Sequence, residues 1–142
     1  MPAESPLVMI VDDDLDFLEL TKQVLEKGGY RTACFSDPRD AFDALAAERP
    51  DLILTDLMME SLNTGFSFSR QVKDDARFRD IPIVIITAAS SQRGFDFRPT
   101  TDEDLAAMRV EAFLEKPVAP KPLLRKLEEL VASHRRAKED AP

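Results

Sequence analysis

Short apolar runs without alternation constrain this chain more than any other feature. Residues 7–11 read LVMIV, 52–54 LIL and 83–86 IVII, with 112–114, AFL, a shorter example. A weaker fifth is RTACF over 31–35. A strand with one wet face alternates apolar and polar residues. A strand buried on both faces does not, and that is the signature of a parallel sheet covered by helices.

The stretches between the runs carry helical spacing. Leu15, Leu18, Val24 and Leu25 predict a helix from about 14 to 27, stopped by Gly28 and Gly29. In SDPRDAFDALAAERP, Asp37 is a fitting N-cap and Pro38 a fitting first helical residue. Ala41, Phe42 and Leu45 then share one apolar face, and Pro50 closes the segment. GFSFSRQVKDDARF is a poorer helix, placed mainly by its neighbours. TTDEDLAAMR offers a capping box, Thr100 with Glu103. A last helix from about 120 to 137 carries Leu123, Leu124, Leu127, Leu130 and Val131 at helical spacing. Five strands alternating with five helices predict an α/β fold with a parallel sheet.

A chain of 142 residues suits one domain. That domain is expected over 6–135, with 1–5 and 136–142 as flexible ends. The formal net charge of -8 argues against direct nucleic-acid binding, which needs a basic stripe, and against an anionic membrane as partner. Cys34 is the single cysteine, so an internal disulfide and a cysteine-based zinc site are both excluded. Its apolar surroundings predict a buried, inert thiol. The N-terminus lacks a basic and apolar leader, and no run reaches the roughly 20 apolar residues of a membrane span, so a cytoplasmic location is expected.

The first run ends in VDDDLDF, with Asp12, Asp13 and Asp14 consecutive and Asp16 close behind. At about 4 Å and an effective dielectric of about 20, one such carboxylate pair costs about 4 kcal/mol. Three chemistries compete for the cluster. A calcium loop matches the D-x-D-x-D spacing but has Phe17 where glycine is needed and Gln23 where glutamate is needed. A haloacid-dehalogenase-type phosphatase also sets D-x-D after a strand, but its pattern continues Gly-Thr, and here Leu15 and Asp16 follow. Helix capping accounts for one or two of the acids without needing three.

In parallel α/β sheets ligands bind beyond the carboxyl ends of the strands. The third run ends in LTDLMM, placing Asp56 there. The fourth ends in IITAA with Thr87, and the fifth runs into FLEKP with Lys116. Each alone is an ordinary turn residue or solvated charge. Together, on the same edge of one sheet, they form a constellation.

That constellation resembles the response-regulator receiver domain, the phosphoacceptor half of two-component signalling, over roughly residues 6–135. The resemblance implies a flavodoxin-like, doubly wound (βα)5 fold with strand order 2-1-3-4-5. It implies that Asp56 is phosphorylated and that Mg2+ is held by Asp12 and Asp13, with Asp13 and Asp56 as direct ligands and the Met58 carbonyl completing the set. Thr87 and Lys116 would contact the phosphoryl oxygens. Phe113 holds the switch-aromatic position, with plain core packing as its other reading. Asp14 has no family role and reads as a helix cap. The implied partners are a sensor histidine kinase or histidine phosphotransfer protein and a downstream protein target, for a monomer or weak homodimer. Such a protein is a signalling phosphoacceptor, not a metabolic enzyme. Because the last helix uses the remaining length, a stand-alone receiver is expected.

Three departures from the family pattern stand out. Glu60 replaces the proline expected after Met59, and Gly65 stands one residue late. The segment between Thr87 and Lys116 is enlarged around SSQRGFDFRPTTDED, where Phe95 and Phe97 either bind a partner, cover the site or tuck onto the body. Met58 and Ala89 occupy the positions that tune phosphate lifetime, and neither can hold an attacking water, so slow self-dephosphorylation is expected. These departures support an alternative: a phosphorylation-independent pseudo-receiver acting as a protein-binding module. His134, the single histidine, reads as part of a solvated helix end.

Overall fold

The computed structural model describes residues 5–56, 64–88, 111–116 and 119–140. In chain order its elements are β1 (Leu7–Val11), α1 (Leu15–Lys27), β2 (Arg31–Phe35), α2 (Pro38–Leu45), β3 (Leu52–Asp56), α3 (Thr64–Asp74), β4 (Ile83–Ala88), β5 (Ala112–Lys116) and α4 (Pro120–Asp140). Every strand pair is parallel, and the sheet order is β2-β1-β3-β4-β5. Four helices stand among the described residues. The helix expected at the Thr100 capping box lies outside them, as do Met58, Glu60, Ala89, Phe95 and Phe97.

The unalternating runs have a direct cause. Successive residues of one strand point to opposite faces, and both faces are covered. Met9, Val11, Ile53, Ile83 and Ile85 join Ala41, Leu45, Phe68 and Val72 in one core, against α2 and α3. Val8, Ile10, Leu52, Leu54, Val84 and Ile86 join Leu18, Leu25, Leu123, Leu127 and Val131 in the other, against α1 and α4. Full burial of one such side chain contributes about 1.5–3 kcal/mol.

Local signals set the helix ends. Asp14 caps α1, its Oδ1 accepting the Phe17 N–H at 3.1 Å. Asp37 caps α2, its Oδ1 accepting the Arg39 N–H at 2.8 Å, with Pro38 following. After α1 the chain reverses through Gly29, whose φ of 95° lies in the left-handed region that a side chain disfavours.

Three expectations need correction. Cys34 is exposed, because β2 is an edge strand and only partly covered. Its thiol pKa is nonetheless raised, first by desolvation among its close neighbours and then by Glu26 and Glu19, outweighing Lys22 and a hydrogen bond with Thr32. Leu15, assigned to the apolar face of α1, is 67% exposed. It lies in the first turn, past the end of β1. The last helix also continues beyond 137, to Asp140.

Candidate functional site at the carboxyl edge of the sheet

Strand register brings the singled-out residues to one edge. Val11 pairs with Thr55, so Asp12, the next residue after β1, stands level with Asp56, the last residue of β3. Asp56 pairs with Ile86, and Thr87 follows it in β4. Thr87 pairs with Glu115, and Ala88 with Lys116 at the end of β5. Phe113 lies lower in the same strand, opposite Ile85. For Thr87, Lys116 and Phe113 these are backbone positions.

The acids themselves converge. Asp12, Asp13 and Asp56 each offer a carboxylate oxygen, and these oxygens lie within 4.8 Å of one another. Asp12 and Asp56 are buried, at 1% and 4% exposure, while Asp13 faces solvent. Asp12 is held from two sides. Its backbone N–H donates to the Phe35 carbonyl at 3.1 Å. Its Oδ1 accepts the Asp14 N–H at 2.9 Å, which turns the carboxylate toward the start of α1. The run of three acids therefore divides its labour, with Asp14 spent on the helix cap and Asp12 and Asp13 left at the strand end.

Three carboxylates, two of them buried, form a hard, all-oxygen donor set. That set fits magnesium, calcium or manganese and not a thiophilic metal. A hard divalent cation also removes the repulsion that the cluster otherwise carries. The residues present thus fit the Mg2+ that the family resemblance implies.

Residues that the sequence reading passed over stand at the opposite edge. Asp51 and Glu111, each immediately before a strand, turn their carboxylates onto the first N–H of the neighbouring strand. Asp51 Oδ2 accepts the Leu7 N–H at 2.8 Å, and Glu111 Oε1 accepts the Ile83 N–H at 2.7 Å. The sequence signal was an acid directly ahead of an apolar run, present twice.

Comparison with known proteins agrees with this geometry. The family model for the response regulator receiver domain matches residues 8–128. The chain is 30% identical over 112 residues to the polar-differentiation response regulator DivK of Brucella anthropi, covering 79% of this chain and 85% of DivK. It is 31% identical over 126 residues to the response regulator MprA of Mycolicibacterium vanbaalenii; the match covers 87% of this chain but only 49% of MprA, about half its length. Among solved structures, the chemotaxis response regulator CheY4 of Vibrio cholerae superposes with a TM-score of 0.74 at 25% identity, over 89% of this chain and 98% of that one. The flavodoxin-like α/β fold with a parallel sheet follows from that match, and the chain belongs to the response regulator receiver domain family of two-component signalling.

Proposed function

We propose that this receiver accepts a phosphoryl group on Asp56 and uses it to switch protein contacts in a two-component phosphorelay. The observation that supports this most strongly is the meeting of Asp12, Asp13 and Asp56 within 4.8 Å at the carboxyl edge of the sheet. In this reading Asp12, Asp13, Asp56 and the Met58 carbonyl hold Mg2+. When bound, the ion supplies positive charge that offsets both the clustered acids and the incoming phosphoryl oxygens.

An Asp56 carboxylate oxygen attacks phosphorus. The bond from phosphorus to the donor, nitrogen in a phosphohistidine or oxygen in acetyl phosphate, breaks with its electron pair leaving on the donor. An acyl phosphate results. Little covalent work is asked of the protein, so positioning and charge carry the reaction. Lys116 supplies a cation to the phosphoryl oxygens and Thr87 a hydroxyl donor. The acyl phosphate carries about -1.5 to -2 of charge where the carboxylate carried about -1, and its new acceptor oxygens stand beside Thr87. Differential contact with that charge would bias the β4–β5 end of the sheet between two arrangements, with Phe113 reporting the change.

The donor is a sensor histidine kinase or a histidine phosphotransfer protein, and the output is contact with a protein target in the cytoplasm by a monomer or weak homodimer. Among the described residues no helix is long and apolar enough to cross a membrane. Intact-mass measurement after incubation with acetyl phosphate and Mg2+ tests the proposal. One phosphoryl group is expected on the parent protein and none on Asp56→Ala. No gain on the parent favours the phosphorylation-independent binding module instead.

A further inference from the structure

A buried cation stands at the edge of the sheet opposite the acids. Lys73, in the last turn of α3, is 7% exposed. Its ammonium has three N–H donors, and three partners meet them. The Arg79 carbonyl accepts at 3.1 Å, the Ile81 carbonyl at 2.8 Å and the Glu111 carboxylate at 3.3 Å. Glu111 is itself bound to the first residue of β4 twice. Its backbone N–H donates to the Ile83 carbonyl at 2.9 Å, and its Oε1 accepts the Ile83 N–H at 2.7 Å. A side-chain carboxylate thus stands where a main-chain carbonyl would complete the first rung of the β4–β5 ladder.

β5 is the second edge strand of the sheet, paired with β4, and is five residues long. Its own ladder is a weak guarantee of register, and a one-residue slip would reverse every side chain. The Lys73–Glu111–Ile83 clasp removes that freedom at the residue just before the strand. The same strand pair ends with Thr87 opposite Glu115 and Ala88 opposite Lys116. The Asp51–Leu7 contact performs the equivalent task for β1 and β3, which carry the three acids.

We infer that Lys73 and Glu111 are positioning residues for phosphoryl transfer: they set the β4–β5 register from below and so hold Lys116 and Thr87 at the site. This rests on the phosphoacceptor reading above. It separates from a general stabilising role because Asp12, Asp13 and Asp56 lie on or beside β1 and β3, outside the clasped pair.

The experiment measures phosphorylation rate with acetyl phosphate at saturating Mg2+, and Mg2+ affinity by calorimetry, on folded protein. The double variant Lys73→Met/Glu111→Leu removes both charges together, so the buried ammonium is not left without its partner. Misplacing a reacting group by about 1 Å can cost about 100-fold, and the rate is expected to fall about tenfold or more. The Mg2+ dissociation constant stays within about twofold of the parent's, since the acids are untouched. Glu111→Gln keeps an oxygen for the Ile83 N–H and is expected to recover most of the rate. A parental rate in the double variant, a rate and Mg2+ affinity that fall in step, or a Glu111→Gln rate as low as the double variant's overturns the inference. Amide exchange in the parent protein judges the clasp even if the double variant does not fold. The Ile83 N–H is expected to exchange as slowly as the Ile53 N–H in β3, and exchange typical of an open strand end overturns the clasp. A parent that takes no phosphate refutes the phosphoacceptor reading alone, and the exchange measurement still decides the clasp.

Discussion

The replacement Asp13→Asn should stabilise the metal-free protein. Asp13 is the exposed member of the acidic trio, and its oxygen lies within 4.8 Å of both an Asp12 and an Asp56 oxygen. At that separation two unit charges repel by about 1 kcal/mol in a water-like medium and about 3.5 kcal/mol at an effective dielectric of about 20. Solvent reaches Asp13, so the lower figure governs, and it applies to two partners. Screening with a Debye length of about 10 Å at 0.1 M salt trims the sum to about 1–2 kcal/mol. For a chain of this size that corresponds to a melting point higher by about 3–8 °C. Asparagine keeps the shape and the polar atoms, so no cavity enters the comparison. The assay is a thermal melt in a metal chelator, repeated at about 1 M salt, where a Debye length of about 3 Å should remove most of the difference. Saturating Mg2+ should then reverse the order. The parent gains about 2.7 kcal/mol at 100 times its dissociation constant, and a variant that has lost a ligand gains less. An unchanged or lower melting point for Asp13→Asn in the chelator would refute the crowded-carboxylate argument.

Asp14→Ala should cost about 1 kcal/mol by removing the α1 cap, while Asp14→Asn should nearly restore it. Thermal melts check this, and calorimetry should find Mg2+ affinity nearly unchanged in both; a large loss of affinity would mean that Asp14 is more than a cap. A second test uses pH. Arg77 holds the Asp75 carboxyl down to about 2 from its ordinary 3.8, chiefly through its side-chain hydrogen bonds and then its backbone N–H. A depressed carboxylate pKa stabilises the fold above the ordinary value, and that contribution is lost as pH falls through the folded value. Asp75→Asn should therefore melt below the parent at pH near 5, with the gap closing between pH about 4 and about 2. A gap that does not change with pH would contradict the pairing.

What could be read in the sequence, and what could not, divides by how far the cause of each feature reaches along the chain. Asp14 and Asp37 were legible as caps because a cap bonds within its own helical turn. β1, β3 and β4 were legible because burial on both faces leaves an unbroken apolar run, whereas β2 was weak because an edge strand is only partly covered. The same edge position exposed Cys34, which no property of RTACF could disclose without knowing the strand order. The meeting of Asp12 with Asp56 is remote in sequence yet was legible, because a topological rule gathers the carboxyl ends of parallel strands whatever their residues.

No such rule gathers the clasps at the amino edge. Lys73 sits in QVKDD as an unremarkable helical lysine until Arg79, Ile81 and Glu111 are folded around it. Asp51 and Glu111 look like turn acids until Leu7 and Ile83 lie beside them. Yet the two edges depend on one another. A strand is close to rigid over five residues, so a clasp at its amino end sets the height of its last residue. The Asp51 clasp sets the pair of strands bearing the acids, and the Glu111 clasp sets the pair bearing Thr87 and Lys116. If each half of the site has its own register lock, a loosened Glu111 clasp should impair phosphate chemistry while leaving the metal acids in place. A site built as one indivisible unit would lose both together.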